Sequence, residues 1–329
     1  MEGFLPFFEE LGVAEYLLDP EIEDLMMQPG GVFVMREGRQ DQVNVPPISE
    51  RKLRLILESL AAELNDSIGP GKQNLNARLP DGSRLAAILP PASPWGVVVS
   101  IRKFGRFRTL EDLRDGVLRR DGTRSESMMT EEVFSLLLEL ATDRRNTLVS
   151  GEMGSGKSTL IQAMLDKLPI SARIVTMEKP IELRLRHPNV VRLEAVTGLG
   201  EQQEVTLGDL LTWSLRLNAS YLVFGEVRAE EAGDMMRAMR TGHPGISTIH
   251  ARTSKTALEQ AAFLASVRYG GNVTLARQEA ALSIQNVVQV GKDRSGQRRV
   301  LEVLEVGGYH VTKEQFRVKY LYRAEGEKR

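Results

Sequence analysis

The stretch that decides the fold of this chain spans residues 151–159 and reads Gly151-Glu152-Met153-Gly154-Ser155-Gly156-Lys157-Ser158-Thr159. It fills the pattern G-x-x-x-x-G-K-[ST], which is typical of a loop that binds nucleotide phosphates. Residues 147–150 before it are suited to a buried strand, and residues 157–168 favour a helix that Pro169 ends. A strand, a glycine-rich turn and a helix N-terminus present backbone N–H groups to an anion. The sequence therefore predicts that the chain binds a nucleoside triphosphate.

The residue types in this loop predict individual roles. Gly151, Gly154 and Gly156 allow positive φ angles and close approach of the backbone to a phosphate. Lys157 is expected to reach the β- and γ-phosphates, and the hydroxyl of Ser158 is expected to ligate Mg²⁺. The expected cofactors are thus ATP and Mg²⁺.

Length and composition describe an ordinary globular protein. The chain has 329 residues, enough for about two domains, with 42% hydrophobic and 26% charged residues. Its formal net charge of -1 gives no global basic field for nucleic acid, and the absence of cysteine excludes disulfides. Acidic residues near the N-terminus do not fit a signal peptide, and no apolar run is long enough to span a bilayer. We expect a cytoplasmic protein.

The hydrophobic pattern predicts an α/β fold in two domains. Residues 1–104 are predicted to form a mixed α/β domain, 105–128 a linker with a short helix near 110–117, and 129–329 a phosphate-loop domain. In the first domain, leucine and isoleucine recur at helical spacing over residues 53–64. Strands are predicted at 32–35, 84–89 and 97–102.

The second domain is predicted to contain a mainly parallel sheet flanked by helices, because strand-like and helix-like runs alternate. Strands are expected at 147–150, 173–177, 221–225 and 246–249, and helices near 157–168, 206–217 and 229–240. A hairpin is expected from 286–290 and 299–306, with its turn in 293–297.

Three acidic residues follow predicted strands. Glu226 ends the apolar run 221–225, where a carboxylate beside a phosphate loop can orient the attacking water. Glu178 and Glu182 follow the strand before it and could hold water or metal as an i, i+4 pair. On a helix face, such a pair is more often solvent-exposed.

Two further groups of residues have both a functional and a plain structural interpretation. His243 and His250 are two of only four histidines and flank one strand-like run. A neutral imidazole there can hydrogen-bond a phosphate or a carboxylate, or simply pack in a turn. Arg84 and Arg102 belong to a basic group with Lys103, Arg106 and Arg108, which either reaches a bound triphosphate or forms a solvated face.

Taken in order, these segments resemble the secretion and pilus traffic ATPase superfamily over roughly residues 20–310. The type IV secretion (conjugation) and Tad-pilus branches are most similar. The resemblance is carried by the phosphate loop and four further stretches: LPDGSRLAAILPP (79–91), VSIRKF (99–104), FGEVRAEEAGDMMRAMRTGHPG (224–245) and STIHA (247–251).

The resemblance implies a RecA-like phosphate-loop domain after the N-terminal α/β domain, with ATP between them. It makes 151–159 the Walker A loop and Glu226 the Walker B glutamate, puts Glu178 and Glu182 in the Asp box, and places His243 and His250 in the His box. Arg84 and Arg102 would be brought to the triphosphate. It also implies a homo-hexamer on the cytoplasmic face of the inner membrane, docked on platform proteins of a secretion or pilus machine.

This sequence departs from the family pattern at two places. Lys179 stands where an acidic residue usually follows the first glutamate of the Asp box, and Asn218-Ala219-Ser220 replaces an Asp-Pro-Asp. Both changes are expected to remove negative charge near the magnesium ion and so bear on the rate of hydrolysis. Two alternatives therefore stay open: a nucleotide-binding regulator or scaffold with weak hydrolysis, and a DNA translocase. The near-zero charge argues against the second, and we expect no sequence-specific nucleic-acid binding.

Overall fold

The computed structural model of the chain comprises two compact units, Met1–Arg106 and Phe107–Arg329. It describes residues 2–36, 39–104, 107–119, 122–196, 204–227 and 231–324. Among these described residues, no helix is both long and apolar enough to cross a lipid bilayer. The basic residue Arg106 of the predicted arginine group lies outside the described residues.

The first unit is built on a six-stranded antiparallel sheet in the order β3-β2-β1-β6-β5-β4. Its helix α3 has the predicted apolar face, and the Ser49 hydroxyl caps it by accepting from the Lys52 N–H. Strand β1 was not predicted because its sequence, IEDLMMQ, lacks β-branched side chains apart from Ile22. The elements are α1 (Leu5–Glu10), α2 (Ala14–Leu18), β1 (Ile22–Gln28), β2 (Gly31–Arg36), β3 (Arg39–Val43), α3 (Glu50–Glu63), β4 (Asn74–Arg78), β5 (Arg84–Ile88) and β6 (Val98–Arg102).

The second unit is built on an eight-stranded sheet in the order β14-β13-β12-β7-β11-β10-β8-β9. The six strands from β12 to β9 are parallel to one another, β13 runs antiparallel to β12, and β14 runs antiparallel to β13. The strands are β7 (Thr147–Ser150), β8 (Ile174–Glu178), β9 (Val190–Glu194), β10 (Tyr221–Glu226), β11 (Gly245–Ile249), β12 (Asn286–Lys292), β13 (Arg298–His310) and β14 (Gln315–Arg323). The helices are α4 (Leu110–Asp115), α5 (Glu131–Thr142), α6 (Lys157–Leu165), α7 (Leu207–Ser214), α8 (Glu231–Arg240), α9 (Ser254–Ala265) and α10 (Val273–Ser283).

Helices cover both faces of this sheet, as predicted. Neighbouring strand residues alternate between two buried clusters: Leu148 packs in the cluster that contains α7 to α10, and Val149 packs in the cluster that contains α4 to α6. Because Leu110 and Leu113 belong to the latter cluster, α4 packs in the second unit. The α/β fold class with a mainly parallel sheet is confirmed.

The parallel direction of the central strands brings their ends to one edge of the sheet. Strands β7, β8, β10 and β11 end at Ser150, Glu178, Glu226 and Ile249, and all four ends point the same way. The carboxyl ends of parallel strands are where open α/β sheets bind ligands. We call this side of the second unit the loop edge, because the phosphate loop follows β7 there.

Candidate active site

The phosphate loop joins β7 to α6, and its three glycines occupy positions that a Cβ atom would strain. Gly154 has a φ of 71°, and Gly156, at the N-cap of α6, has a φ of 99°. A Cβ on Gly151 would lie 2.3 Å from the Val290 carbonyl oxygen and 2.5 Å from Ser155 Oγ. Glycine at these three positions therefore allows the compact loop backbone that a phosphate-binding site requires.

Lys157 is the first residue of α6 and is only 8% exposed. Its Nζ donates to the carbonyl oxygens of Gly151 and Glu152, each at 2.9 Å, and lies 3.2 Å from His250 Nδ1. Burial lowers the pKa of Lys157 from its ordinary value, while the nearby carboxylates of Glu226 and Glu182 act in the opposite direction. The ammonium group is thus held inside the loop by three acceptors.

His250 links this lysine to the candidate catalytic glutamate. Since the ammonium of Lys157 can only donate, His250 Nδ1 must accept from it, which puts the ring proton on Nε2. Nε2 lies 3.1 Å from Oε1 of Glu226 and donates to it. The three side chains form a chain of contacts from the phosphate loop to the end of β10. Of the two predicted histidines, His250 is brought to the loop edge.

Glu178 ends β8 beside Glu226 and is only 2% exposed. Burial raises its pKa, although Oε2 accepts the backbone N–H groups of Glu182 and Leu183 at 2.7 and 2.9 Å. A Cβ on Gly225 would lie 3.1 Å from Cγ of Glu178, so this glycine lets the ends of β8 and β10 pack closely. Glu178 and Glu226 therefore end two adjacent strands at the loop edge.

The pair Glu178 and Glu182 does not lie on a helix face. Residues 179–187 have no regular secondary structure, and the backbone N–H of Glu182 donates to Oε2 of Glu178. The alternative of an exposed i, i+4 helix face is therefore wrong for Glu178, which the chain covers as it turns after β8, whereas Glu182 is exposed.

His243 lies at the other edge of the sheet. It precedes β11, whereas His250 follows that strand, so the five residues Gly245–Ile249 separate them by about 16 Å. The structure therefore does not bring His243 to the phosphate loop of its own chain. The predicted His243–His250 cluster is split because a whole strand runs between the two residues.

One of the two departures from the family pattern is also far from the loop edge. Asn218-Ala219-Ser220 precedes β10, and Ser220 Oγ accepts the backbone N–H of Arg173 at 3.1 Å. The expectation that this change removes charge beside the magnesium ion is wrong, since these residues lie at the opposite end of β10 from Glu226. Lys179 follows Glu178 at the loop edge, 3.8 Å from the Glu204 carboxylate.

Arg84 and Arg102 lie in the first unit and pair directly across β5 and β6. The same register row contains Arg78 on β4 and Asp24 on β1, so three arginines and one carboxylate share one face of the sheet. Arg102 Nε contacts Oδ1 of Asp24 at 3.0 Å. We call Arg78, Arg84 and Arg102 the arginine row.

Two buried polar residues near the loop edge are not flagged by any sequence motif. Gln289 on β12 is 2% exposed and Glu302 on β13 is 6% exposed. The available signal is one polar residue in each of the apolar runs VVQV (287–290) and VLEVL (300–304).

The site fits a nucleotide phosphate with its metal ion. Ser158 lies in the first turn of α6, beside Lys157, and is partly buried. Within the described ranges, no group of three or more acidic, histidine or cysteine side chains could hold a metal by itself. The Ser158 hydroxyl is a donor that fits Mg²⁺, which is usually bound by few protein ligands together with substrate phosphates.

Fold and site together define a RecA-like nucleotide-binding protein: a phosphate loop, two carboxylates and a histidine meet at the carboxyl edge of a parallel sheet. The chain belongs to the Type II/IV secretion system protein family, whose model matches residues 9–289.

Two curated relatives are similar to this chain in sequence, and one solved structure is similar to it in fold. The type IV secretion system protein VirB11 of Brucella suis is 32% identical over 269 residues, which cover 76% of this chain and 74% of that protein. The conjugal transfer protein TrbB of Rhizobium radiobacter is 27% identical over 297 residues, covering 88% and 85%. The Legionella pneumophila ATPase DotB has the same fold, with a TM-score of 0.64 at 18% identity over 91% of this chain and 81% of that one.

Proposed function

We propose that this protein is an ATPase that hydrolyses ATP to power a type IV secretion, conjugation or pilus assembly machine. The observation that carries the proposal is the chain of contacts from Lys157 through His250 to Glu226 at the mouth of a phosphate loop. Family membership and the names of the relatives support the secretion context.

Each residue of the site has a proposed task. When ATP binds, Lys157 exchanges the loop carbonyls for the β- and γ-phosphates, and Ser158 holds Mg²⁺. The metal, when bound, neutralises charge on the phosphates. Glu226 orients the attacking water and accepts its proton. Because His250 contacts both Lys157 and Glu226, loss of the lysine contact on ATP binding would reach the carboxylate through the imidazole.

Glu178 and the arginine row complete the proposed chemistry. Glu178, close to the end of β10, is the second carboxylate that could orient water. Like charges directly opposite each other on neighbouring strands destabilise a sheet. The arginine row therefore suits an anionic ligand, and we assign Arg84 and Arg102 to the transferred phosphate.

Replacing Lys157 and Glu226 tests the proposed activity. Lys157→Ala is expected to abolish hydrolysis and to weaken ATP binding severely, because the loop loses its cation. Glu226→Gln is expected to retain ATP binding but to hydrolyse roughly 10²–10⁴-fold more slowly. Turnover and equilibrium binding are measured on purified protein, with exposed Lys313→Ala as the control. Wild-type protein that binds ATP without turnover would favour a regulator, and turnover that requires DNA would favour a translocase.

We further propose a homo-hexameric ring at the cytoplasmic face of the inner membrane, docked on platform proteins of the machine. The resemblance to the secretion and pilus traffic ATPases supports the ring, and the type IV secretion relatives support docking on a secretion machine. Light scattering of the protein with a non-hydrolysable ATP analogue is expected to give the mass of six chains. A monomer or dimer at micromolar concentration would contradict the ring.

A further inference from the structure

The segment 250–253 joins β11 to α9 and carries His250. Buried polar side chains from two neighbouring strands form hydrogen bonds to this segment and to the residue that follows it. Gln289 Nε2, on β12, donates to the carbonyl oxygen of Ala251 at 3.2 Å. Glu302, on β13, accepts the Ser254 hydroxyl at 2.5 Å and the Ser254 N–H at 3.4 Å. One contact therefore lies directly after His250 and the other at the first residue of α9.

These two anchors, Gln289 and Glu302, lie side by side in the sheet, next to the strand that leads into the phosphate loop. Gln289 is paired in register with Glu302 on one side and with Ser150, the last residue of β7, on the other. The residue after Gln289 supplies the carbonyl oxygen that lies against Gly151. Strand β12 thus contacts both the start of the phosphate loop and the segment that carries His250.

Both anchors are costly for the fold, since a buried amide or carboxylate is desolvated. Arg323 offsets part of this cost, because its Nε and a terminal nitrogen each lie 3.0 Å from Oε1 of Glu302. Oε1 of Gln289 is buried without a hydrogen-bond partner among the described residues. An apolar side chain, as at the neighbouring buried positions Val288 and Val290, would avoid that cost. Stability alone therefore does not account for an amide at position 289.

We propose that Gln289 is a positioning residue for His250, with Glu302 as the second anchor of the same segment. The inference rests on the proposed function, in which His250 links Lys157 to Glu226. His250 makes its two ring contacts at 3.2 and 3.1 Å, so a shift of the segment by about 1 Å would break one or both. Misplacement of this size can reduce a rate by about 10²-fold.

The variant Gln289→Met tests the proposal, since methionine is also unbranched but cannot donate. We expect kcat for ATP to fall about tenfold or more while KM changes less than about twofold, because Lys157 and the loop keep their phosphate contacts. The matched control is Gln285→Met, just before the other end of β12, where Gln285 accepts the Asn146 N–H at 2.9 Å. This control is expected to leave both parameters unchanged, and melting curves show whether each variant is folded.

A double-mutant cycle separates positioning from general damage. In a His250→Ala background, Gln289→Met is expected to lower kcat no further, because the group through which it acts is gone. Equal falls in both backgrounds would overturn the proposal.

Nitrogen NMR of the histidine rings adds a readout that does not depend on turnover. The His250 signal, identified by its loss in His250→Ala, is expected to show the form protonated at Nε2 in the wild type and tautomer averaging in Gln289→Met. Ser254→Ala, which removes a donor to Glu302, is expected to shift the same signal in the same direction. An unchanged His250 signal in both variants would contradict the proposal. Wild-type protein without ATP turnover would instead contradict the proposed function and leave the NMR result to decide on Gln289.

Discussion

At the scale of one residue, Glu178 belongs to the candidate site but destabilises the folded protein when it is ionised. Its carboxyl group is almost fully buried, and burial raises its pKa above the ordinary value of about 4.3. An unfolded chain ionises this group at lower pH than the folded protein does. At pH values above the folded-state pKa, ionisation of Glu178 therefore lowers the free energy of unfolding by its full amount. Below the unfolded-state pKa this destabilisation disappears.

Glu178→Gln is accordingly expected to stabilise the protein at pH 7 while impairing hydrolysis. Glutamine keeps an oxygen for the N–H groups of Glu182 and Leu183 but carries no charge. Each kcal/mol gained would raise the melting temperature by roughly 2–4 °C for a unit of this size. The gain should shrink as the pH is lowered toward about 4, which thermal melts across pH can measure. Exposed Glu139→Gln is the control, and a gain that stays constant with pH would argue against a buried charge at position 178.

The sequence motif predicts the residue types of the phosphate loop but not the contacts of Lys157. Lys157 and His250 are 93 residues apart in sequence. They come into contact because β11, which ends just before His250, lies next to β7, which ends just before the phosphate loop. Strand order is set by long-range pairing, so this link cannot be read from local spacing. The separation of His243 from His250, in contrast, follows from the predicted strand 246–249 that lies between them. The predicted strand 221–225 likewise places Asn218-Ala219-Ser220 at the opposite end of that strand from Glu226.

At the scale of the elements, helices and strands with a strong hydrophobic periodicity can be predicted from the sequence, whereas those with a weak periodicity cannot. Strand β7 has the predicted bounds, and α5 begins after its N-cap Thr130, whose hydroxyl accepts from the Val133 N–H. No element is predicted from the sequence for residues 251–283, which form α9 and α10. The buried face of α9 is mainly alanine, so its contrast with the polar face is small and a helical period is hard to detect. The edge strands β9 and β14 are also not predicted from the sequence, because they form through pairing with neighbouring strands.

The junction of β7, the loop and β12 leads to a prediction at this scale. Gly151→Ala is expected to destabilise the second unit by about 1–3 kcal/mol, because the new methyl group would overlap the Val290 carbonyl oxygen. ATP binding should weaken as well, since the loop must move away from β12. Denaturant unfolding and equilibrium ATP binding are the measurements. A Cβ on Gly71 would meet nothing within 4 Å, so Gly71→Ala is the control. Wild-type stability and affinity in Gly151→Ala would show that the loop does not need this close approach.

At the scale of the whole molecule, the two units divide the proposed chemistry. The phosphate loop, His250, Glu178 and Glu226 belong to the second unit, whereas Arg84 and Arg102 belong to the first. The sequence predicts two domains, with the arginines before residue 105 and the loop after residue 150. If both arginines act on the transferred phosphate, hydrolysis requires the first unit to approach the nucleotide. Such an approach would convert the state of the nucleotide into a rigid-body movement of one unit, the kind of motion that a motor passes to its partners.

The arginine row gives a prediction in which activity and stability change in opposite ways. Arg84→Ala or Arg102→Ala in the full chain is expected to lower ATP turnover by up to about 10³–10⁵-fold, the range for an arginine that stabilises a transferring phosphate. Arg84→Ala also removes one of three like charges from a row of directly paired residues, so its melting temperature should stay the same or rise slightly. Arg102→Ala removes a like charge too but loses the exposed ion pair with Asp24, so its melting temperature should change little. Arg39→Ala, on β3 at the far edge of the same sheet, is the control and should affect neither measurement. Turnover and ATP affinity that remain unchanged in both variants would mean that the row is only a solvated face. A fall in turnover together with a lower melting temperature would mean that these arginines support the sheet rather than the reaction.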